Sequence, residues 1–155
     1  MESADGISGL TKLFRGSLAD IPDGSSVVFI GSEAVCSPFA QLMAYSVRDR
    51  DMSFGFGARA IWDKCRKMSW VEGAGFQIGN ESFDPSKANV VVVLGGLAMP
   101  KFGCSVRDVN SFISMIANHP KIVGLGFMDI FRRSGWDKEV HFDVSINATM
   151  SAEII

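Results

Sequence analysis

Five consecutive apolar residues, Val90–Leu94, and the glycines that follow them constrain the fold of this chain more than any other segment. The run is too short to span a bilayer. It also lacks the polar alternation of a strand with one solvated face, so both of its faces must be covered. Strands of this kind belong to parallel sheets in α/β proteins. We therefore predict that residues 88–94 form a parallel strand that is buried on both faces.

Segments typical of helices and strands alternate along the rest of the chain. Further strands are predicted at residues 25–32, 51–59, 75–80, 122–129 and 141–149. Helices are predicted at residues 7–18, from Ser37-Pro38 onward, at residues 61–68 and from Ser105 onward. This order implies right-handed crossovers, so we predict an α/β fold of three layers, α/β/α and doubly wound. Its mostly parallel sheet would have five or six strands, in a Rossmann-like or flavodoxin-like arrangement.

Two of these helices carry recognisable start signals. Ser37 is predicted as an N-cap, with Pro38 as the first helical residue, because proline lacks an N–H that no helix needs at that position. Ser105 and Asp108 have the spacing of a capping box. At 155 residues, with no linker or repeat, the chain is expected to form a single domain, residues 1–155.

Composition and charge exclude several classes of function. The net charge is −2 and the basic residues are scattered, so no nucleic-acid partner is expected. No signal peptide or membrane span is recognisable, which predicts a cytoplasmic protein whose three cysteines are reduced thiols. The hydrophobic content of 47%, with 12 Phe and 8 Met, indicates apolar surface that a homo-oligomer such as a homodimer would bury.

A small-molecule site is expected where ligands bind in such folds, at the carboxyl ends of the strands. Two strand-loop-helix corners with free N–H groups and glycines suit a small anionic or nucleotide-like ligand. The candidate ligand-binding residues are Gly31, Ser32, Cys36, Ser37, Gly95, Gly96, Cys104, Ser105 and Asp129. No complete phosphate-binding or hydrolase motif is present, so the sequence designates no catalytic residue, cofactor or metal-ligand set.

Each of these residues also has an ordinary structural interpretation. Cys36 and Cys104 beside helix N-termini could support thiol redox chemistry or half of a metal site, or they could be small apolar residues packed under their helices. The glycines could serve only the tight connections, and Asp129 only a cap. His119 and His141 precede strands, at the opposite edge, and are not expected in the site. A third alternative is a non-catalytic assembly or regulatory subunit.

Several segments together resemble a family of uncharacterised small archaeal proteins found mainly in methanogens. They are GISGL, VVFIGS with VCSPFAQLMAYSVRD, VVVLGGLAMP, IVGLGFMDIF with GWD, and FDVSINAT. The resemblance covers nearly the whole chain, and LGGLAMP is its most distinctive part. It implies an archaeal cytoplasm, which agrees with reduced thiols. Because the family has no assigned activity, the resemblance implies no catalytic residue.

Overall fold

The computed structural model describes residues 2–155 as seven β-strands and four α-helices. The strands are β1 (Ser25–Gly31), β2 (Met52–Ala58), β3 (Cys65–Val71), β4 (Gly75–Ser82), β5 (Val90–Leu94), β6 (Lys121–Phe127) and β7 (Val144–Ala148). The helices are α1 (Gly6–Ser17), α2 (Glu33–Ser46), α3 (Val106–Ser114) and the single turn α4 (Ile130–Arg133). Within residues 2–155, no helix is both long and apolar enough to cross a membrane.

All seven strands belong to one sheet, in the order β4-β3-β2-β1-β5-β6-β7. The strands β2, β1, β5, β6 and β7 run parallel to one another. The hairpin β3–β4 extends the sheet beyond β2, and both of its strands are antiparallel to their neighbours. The predicted α/β class and mostly parallel sheet are therefore confirmed. The predicted number of five or six strands is wrong, because β3 was not recognised.

The segment that became β3 was predicted as part of a helix over residues 61–68. Only Trp62–Lys64 form a short 3-10 turn, and the strand begins at Cys65. A spacing of three places side chains together on a helix but on opposite faces of a strand. Accordingly, Cys65 is buried in one core cluster and Met68 in the other. Hydrogen bonding to β2 on one side and to β4 on the other makes this segment a strand. The spacing of its own apolar residues does not indicate that pairing.

The valine run forms a fully buried strand, as predicted, and it lies in the middle of the sheet. β5 lies between β1 and β6, and each of its valines has no exposed surface. Val90 and Val92 belong to one core cluster, together with Phe14 of α1 and Met43 of α2. The alternate valines belong to a second cluster, to which α3 contributes Phe112. Burial on both faces explains why this strand contains no polar residue.

Helix α2 begins one turn earlier than predicted. Its N-cap is Ser32, and the prediction of Ser37 as N-cap with Pro38 at the first position is wrong. Cys36 already donates its N–H to the carbonyl oxygen of Ser32, at 2.9 Å. Pro38 has no N–H to donate to the carbonyl oxygen of Ala34. The helix tolerates this loss because Ala34 is exposed to solvent. By contrast, the capping box that opens α3 is confirmed.

Candidate functional site

The predicted corners after β1 and β5 do meet, and they touch one another directly. A Cβ atom on Gly96 would lie 2.4 Å from Sγ of Cys36 and 2.8 Å from Oγ of Ser32. A Cβ on Gly31 would lie 2.5 Å from Cβ of Cys36. The structure thus brings together four of the nine candidate residues. At Gly31 and Gly96 the two loops approach so closely that neither position has room for a side-chain carbon.

The side chains of this corner are packed tightly, and their burial decides how the Cys36 thiol behaves. Ser32 and Cys36 are 2% and 3% exposed, and their side-chain oxygen and sulfur form a hydrogen bond at 3.3 Å. Gly95 lies against a different residue, Ile130, and a Cβ at Gly95 would lie 2.7 Å from Cγ2 of that side chain. A thiol with so little access to solvent behaves as a small apolar side chain. A role of these residues in ligand binding stays a prediction.

Cys104 and Ser105 lie apart from that corner. Cys104 is half-buried against the second core cluster, whereas Cys36 belongs to the first, on the other face of the sheet. The Cys104 thiol donates weakly, at 3.7 Å, to the carbonyl oxygens of Arg59 and Ser105. Burial raises the pKa of Cys104 to about 11, with a smaller contribution from the carboxylate of Asp108. Thiolate chemistry needs the opposite shift.

We expect this raised pKa to control the reactivity of Cys104. Since only the thiolate reacts with an alkylating agent, the rate at Cys104 should keep increasing with pH up to about 11. An unperturbed thiol would level off near about 8.5. The rate can be followed by mass spectrometry of the peptide that contains Cys104, in the folded protein and in urea. A plateau below pH 9 in the folded protein would contradict the prediction.

Asp129 is engaged within the protein at the end of β6. Its carboxylate accepts a hydrogen bond at 2.5 Å from Nε of Arg132, and the pKa of that guanidinium is raised as a result. Its backbone lies in the left-handed region, with φ of 64°, and its N–H donates to Oδ1 of Asn147 at 2.7 Å. Asp129 and Asn147 therefore meet at the carboxyl edge, one strand away from Gly95.

The sequence did not identify a cleft of about 440 Å³ between α2 and the sheet. We call it the cationic cleft. Its lining residues are Glu33, Ser37, Gln41, Phe56, Ala58, Lys64, Arg66 and Ile78. Of the nine candidate residues, only Ser37 lines it. Lys64 reaches it from the 3-10 turn before β3 and Arg66 from the second position of β3, in the segment that was wrongly predicted as a helix. No local pattern places these two side chains together, because one belongs to a 3-10 turn and the other to a strand.

The two basic residues of the cationic cleft lack acidic partners. Among residues 2–155, no carboxylate oxygen lies within 4.0 Å of the side-chain nitrogens of Lys64 or Arg66. The guanidinium of Arg66 donates only to backbone carbonyls, those of Asp63 and Cys65, at 3.3 and 3.2 Å. Glu33 is the one acid in the lining, and Arg59 pairs with it at 3.3 Å. The cleft is therefore locally positive.

A strained turn connects β2 to this basic segment. Arg59 and Ala60 both have left-handed backbones, with φ of 54° and 56°, and the N–H of Ile61 donates to the carbonyl oxygen of Ala58 at 3.0 Å. This combination defines a type I′ turn, which usually contains Asn and Gly. Non-glycine residues held in this conformation concentrate at ligand sites. The turn directs Arg59 toward Glu33 at the start of α2.

Within residues 2–155, no group of three or more His, Cys, Asp or Glu side chains is placed to hold a metal ion. The lining of the cationic cleft supplies two basic side chains, polar groups from α2 and an apolar floor.

Comparison with known proteins identifies relatives over the full length of the chain. A family model described as an uncharacterized protein conserved in archaea, DUF2124, matches residues 5–151. An uncharacterized protein of Methanocaldococcus jannaschii is 33% identical, over 99% of this chain and 92% of the relative. Another, from Methanothermobacter thermautotrophicus, is 36% identical, over 87% of this chain and 86% of the relative.

A solved structure shares the fold as well. The crystal structure of a protein of unknown function from Methanothermobacter thermautotrophicus superposes with a TM-score of 0.88 at 33% identity. The alignment covers 100% of this chain and 95% of that one. The family resemblance in the sequence is thereby confirmed, and this chain belongs to the archaeal family DUF2124.

Proposed function

We propose that this protein binds a small anionic ligand, such as a phosphorylated or nucleotide-like metabolite, in the cationic cleft. The observation that carries this proposal is the pair Lys64 and Arg66, two basic side chains on one cleft with no carboxylate partner among residues 2–155. The whole chain has a net charge of −2, so local charge and not overall attraction would select the anion.

The cleft lies at the carboxyl ends of β1 and β2, beside the point where the strand order reverses between β1 and β5, and this position gives the proposal general support. The chain passes from β1 outward to β2 and later returns past β1 to β5, β6 and β7. This is the strand order of doubly wound, flavodoxin-like folds, whose ligands bind at the carboxyl ends of the strands near the point of reversal. We extend the proposal to that three-layer, doubly wound arrangement. Helices α1 and α2 contribute to one core cluster and α3 contributes to the other, which favours this arrangement.

The other residues that line the cleft suggest which chemical groups the ligand contains besides its anionic group. Phe56 and Ala58 form a buried apolar floor, and the half-buried Ile78 extends it along the hairpin. Gln41 and Ser37 offer polar groups from the opposite wall, on α2. An anionic group on Lys64 or Arg66 with an apolar body on the sheet would match both parts of the cleft. A guanidinium can also bind two phosphate or carboxylate oxygens at once.

Arg66→Gln tests the proposal, with pyrophosphate as the probe in isothermal titration calorimetry. A charged hydrogen bond contributes about 1.5–3 kcal/mol, so we expect Arg66→Gln to weaken binding by about tenfold or more. Pyrophosphate should also raise the melting temperature of the unmodified protein, since it would bind only the folded state.

Lys67→Gln is the matched control, because it removes the same charge from the next position of β3. Side chains alternate along a strand, and Lys67 does not line the cleft but lies 3.9 Å from Glu81. Its affinity for pyrophosphate should equal that of the unmodified protein. Equal weakening by both substitutions would mean general attraction of charge and would contradict a specific site.

An additional role in self-association is favoured by an apolar groove of about 360 Å³ between α1, α2 and the end of β7. Ile7 and Met150 line it and are 66% and 64% exposed. We expect a second copy of the chain to cover them and to form a homodimer in the reducing cytoplasm, where the three free cysteines would persist. Sedimentation should give a dimer that Ile7→Lys dissociates. A monomer at every concentration would contradict this role.

A further inference from the structure

A second cleft opens at the same edge of the sheet, on the face opposite the cationic cleft. It encloses about 420 Å³, within the range of small-molecule pockets. We call it the aromatic cleft, because its lining includes Trp62, Phe102, Phe112, Cys104 and Met115. No residue of the cationic cleft contributes to it. The strained turn at Arg59 and Ala60 forms part of its wall.

The apolar part of this lining suits a flat ring. The rings of Trp62 and Phe112 lie with their centroids 5.1 Å apart, tilted by 55°. Phe112 is buried in the second core cluster, whereas Trp62 and Phe102 are half-buried and Met115 is 52% exposed. Aromatic faces and methionine sulfur stabilise a stacked or edge-on aromatic partner. A ring inserted here would remove exposed apolar surface from water.

Two hydrogen-bond acceptors at the cleft, on Asp108 and Arg59, lack a strong donor. In the capping box of α3, the N–H and the hydroxyl of Ser105 both donate to Oδ2 of Asp108, each at 2.9 Å. Among residues 2–155, Oδ1 of Asp108 has no hydrogen-bond partner. The carbonyl oxygen of Arg59, in the strained turn, meets only the weak thiol donor of Cys104 at 3.7 Å. Acceptors of this kind select a ligand that brings its own N–H groups.

We propose that the aromatic cleft binds a flat heteroaromatic ring that carries an exocyclic amine, of the adenine type. The ring stacks against Trp62 and Phe102, and its amine donates to Asp108 or to the carbonyl oxygen of Arg59. This site is separate from the cationic cleft, and the two clefts have no lining residue in common. The two proposals can therefore fail independently.

Free adenine, which has the ring and amine but no anionic group, is the probe. Cys104 reports its position, because this thiol lines the cleft, while Cys36 and Cys65 are 3% and 1% exposed. We expect saturable binding by calorimetry and at least fivefold slower alkylation of Cys104 by N-ethylmaleimide at saturating adenine. Pyrophosphate should leave that rate unchanged, even if it binds in the cationic cleft.

Two serine-to-leucine variants of α3 test the site, one with the larger side chain inside the aromatic cleft and one with it outside. Ser111 is exposed on α3 and lines the aromatic cleft, so Ser111→Leu should weaken adenine binding at least tenfold. Ser114→Leu places the same side chain on the same helix outside the cleft and should leave the affinity unchanged. Absence of saturable binding, unprotected Cys104 at saturation, or equal affinity of both variants would each overturn the proposal.

Discussion

Gly31→Ala should destabilise the protein, and removal of the Cys36 sulfur should not rescue it. A Cβ on Gly31 would lie 2.5 Å from Cβ of Cys36, 3.0 Å from Cδ1 of Leu94 and 3.1 Å from Sγ of Cys36. The closest of these atoms is fixed to the backbone of α2 and cannot rotate away. Overpacking in a buried site costs about 1–3 kcal/mol, and we expect a value at the upper end of that range. Cys36→Ala keeps its Cβ, so the clash persists in the double variant.

Gly96→Ala should behave differently, although it faces the same residue. Its Cβ would lie 2.4 Å from Sγ of Cys36 and 2.8 Å from Oγ of Ser32. Cys36→Ala removes the nearer atom, and the hydroxyl of Ser32 can then rotate, because it loses its sulfur partner. We expect the double variant to recover about 1 kcal/mol or more relative to the sum of the single effects.

Chemical denaturation of the three single variants and the two double variants, compared with the unmodified protein, measures both cycles. The interaction free energy should be clearly favourable for Gly96 with Cys36 and smaller for Gly31 with Cys36, because the closest clash at Gly31 is with Cβ of Cys36 and remains. Similar values in the two cycles would mean that the corner after β1 relaxes as a unit. The close contact between the two loops would then not be the reason for the glycines.

Phe29→Ala is expected to have the largest effect on stability of any substitution considered. Phe29 lies in the middle of β1 with no exposed surface, and its ring centroid is 6.1 Å from that of Phe14 and 6.2 Å from that of Phe54. Truncation of a buried phenylalanine costs about 3–5 kcal/mol, because the transfer free energy is lost and a cavity remains. The same loss should loosen α1, which supplies Phe14.

Phe29→Leu is the matched control and should cost much less, because it keeps most of the buried volume. Both variants can be compared by the midpoint of urea unfolding at constant m value. A loss below about 1 kcal/mol for Phe29→Ala would contradict the prediction, since it would mean that the cluster collapses around the missing ring.

The sequence predicted the parts of the fold that depend on local patterns. Burial of β5 follows from its unbroken valines, and the start of α3 from Ser105 and Asp108. The start of α2 was wrong because Pro38 is a strong local signal that the helix nevertheless accommodates. The strand β3 was missed because antiparallel pairing with β2, and not its own spacing, decides its conformation.

The candidate site was predicted in part for the same reason. The meeting of Gly31 and Gly96 around Cys36 followed from parallel strands that end at one edge. Whether two loops leave a space or fill it depends on distances of a few tenths of an ångström, which no residue pattern contains. Lys64 and Arg66 became visible only once β3 was known. Arg66 reaches the cleft from β3 and Lys64 from the turn before it.

The central place of β5 also has a consequence for how the chain reaches its fold. Pairing of β5 with β1 joins segments far apart in sequence, as in the hydrogen bond from Ser26 to Asn89, 63 positions away. The hairpin β3–β4 lies wholly within that interval and needs only a short loop. Because closing longer loops costs more entropy and non-local pairing slows folding, we expect the hairpin to form early. Docking of β5 against β1 would then be the slow step on which both halves of the sheet depend.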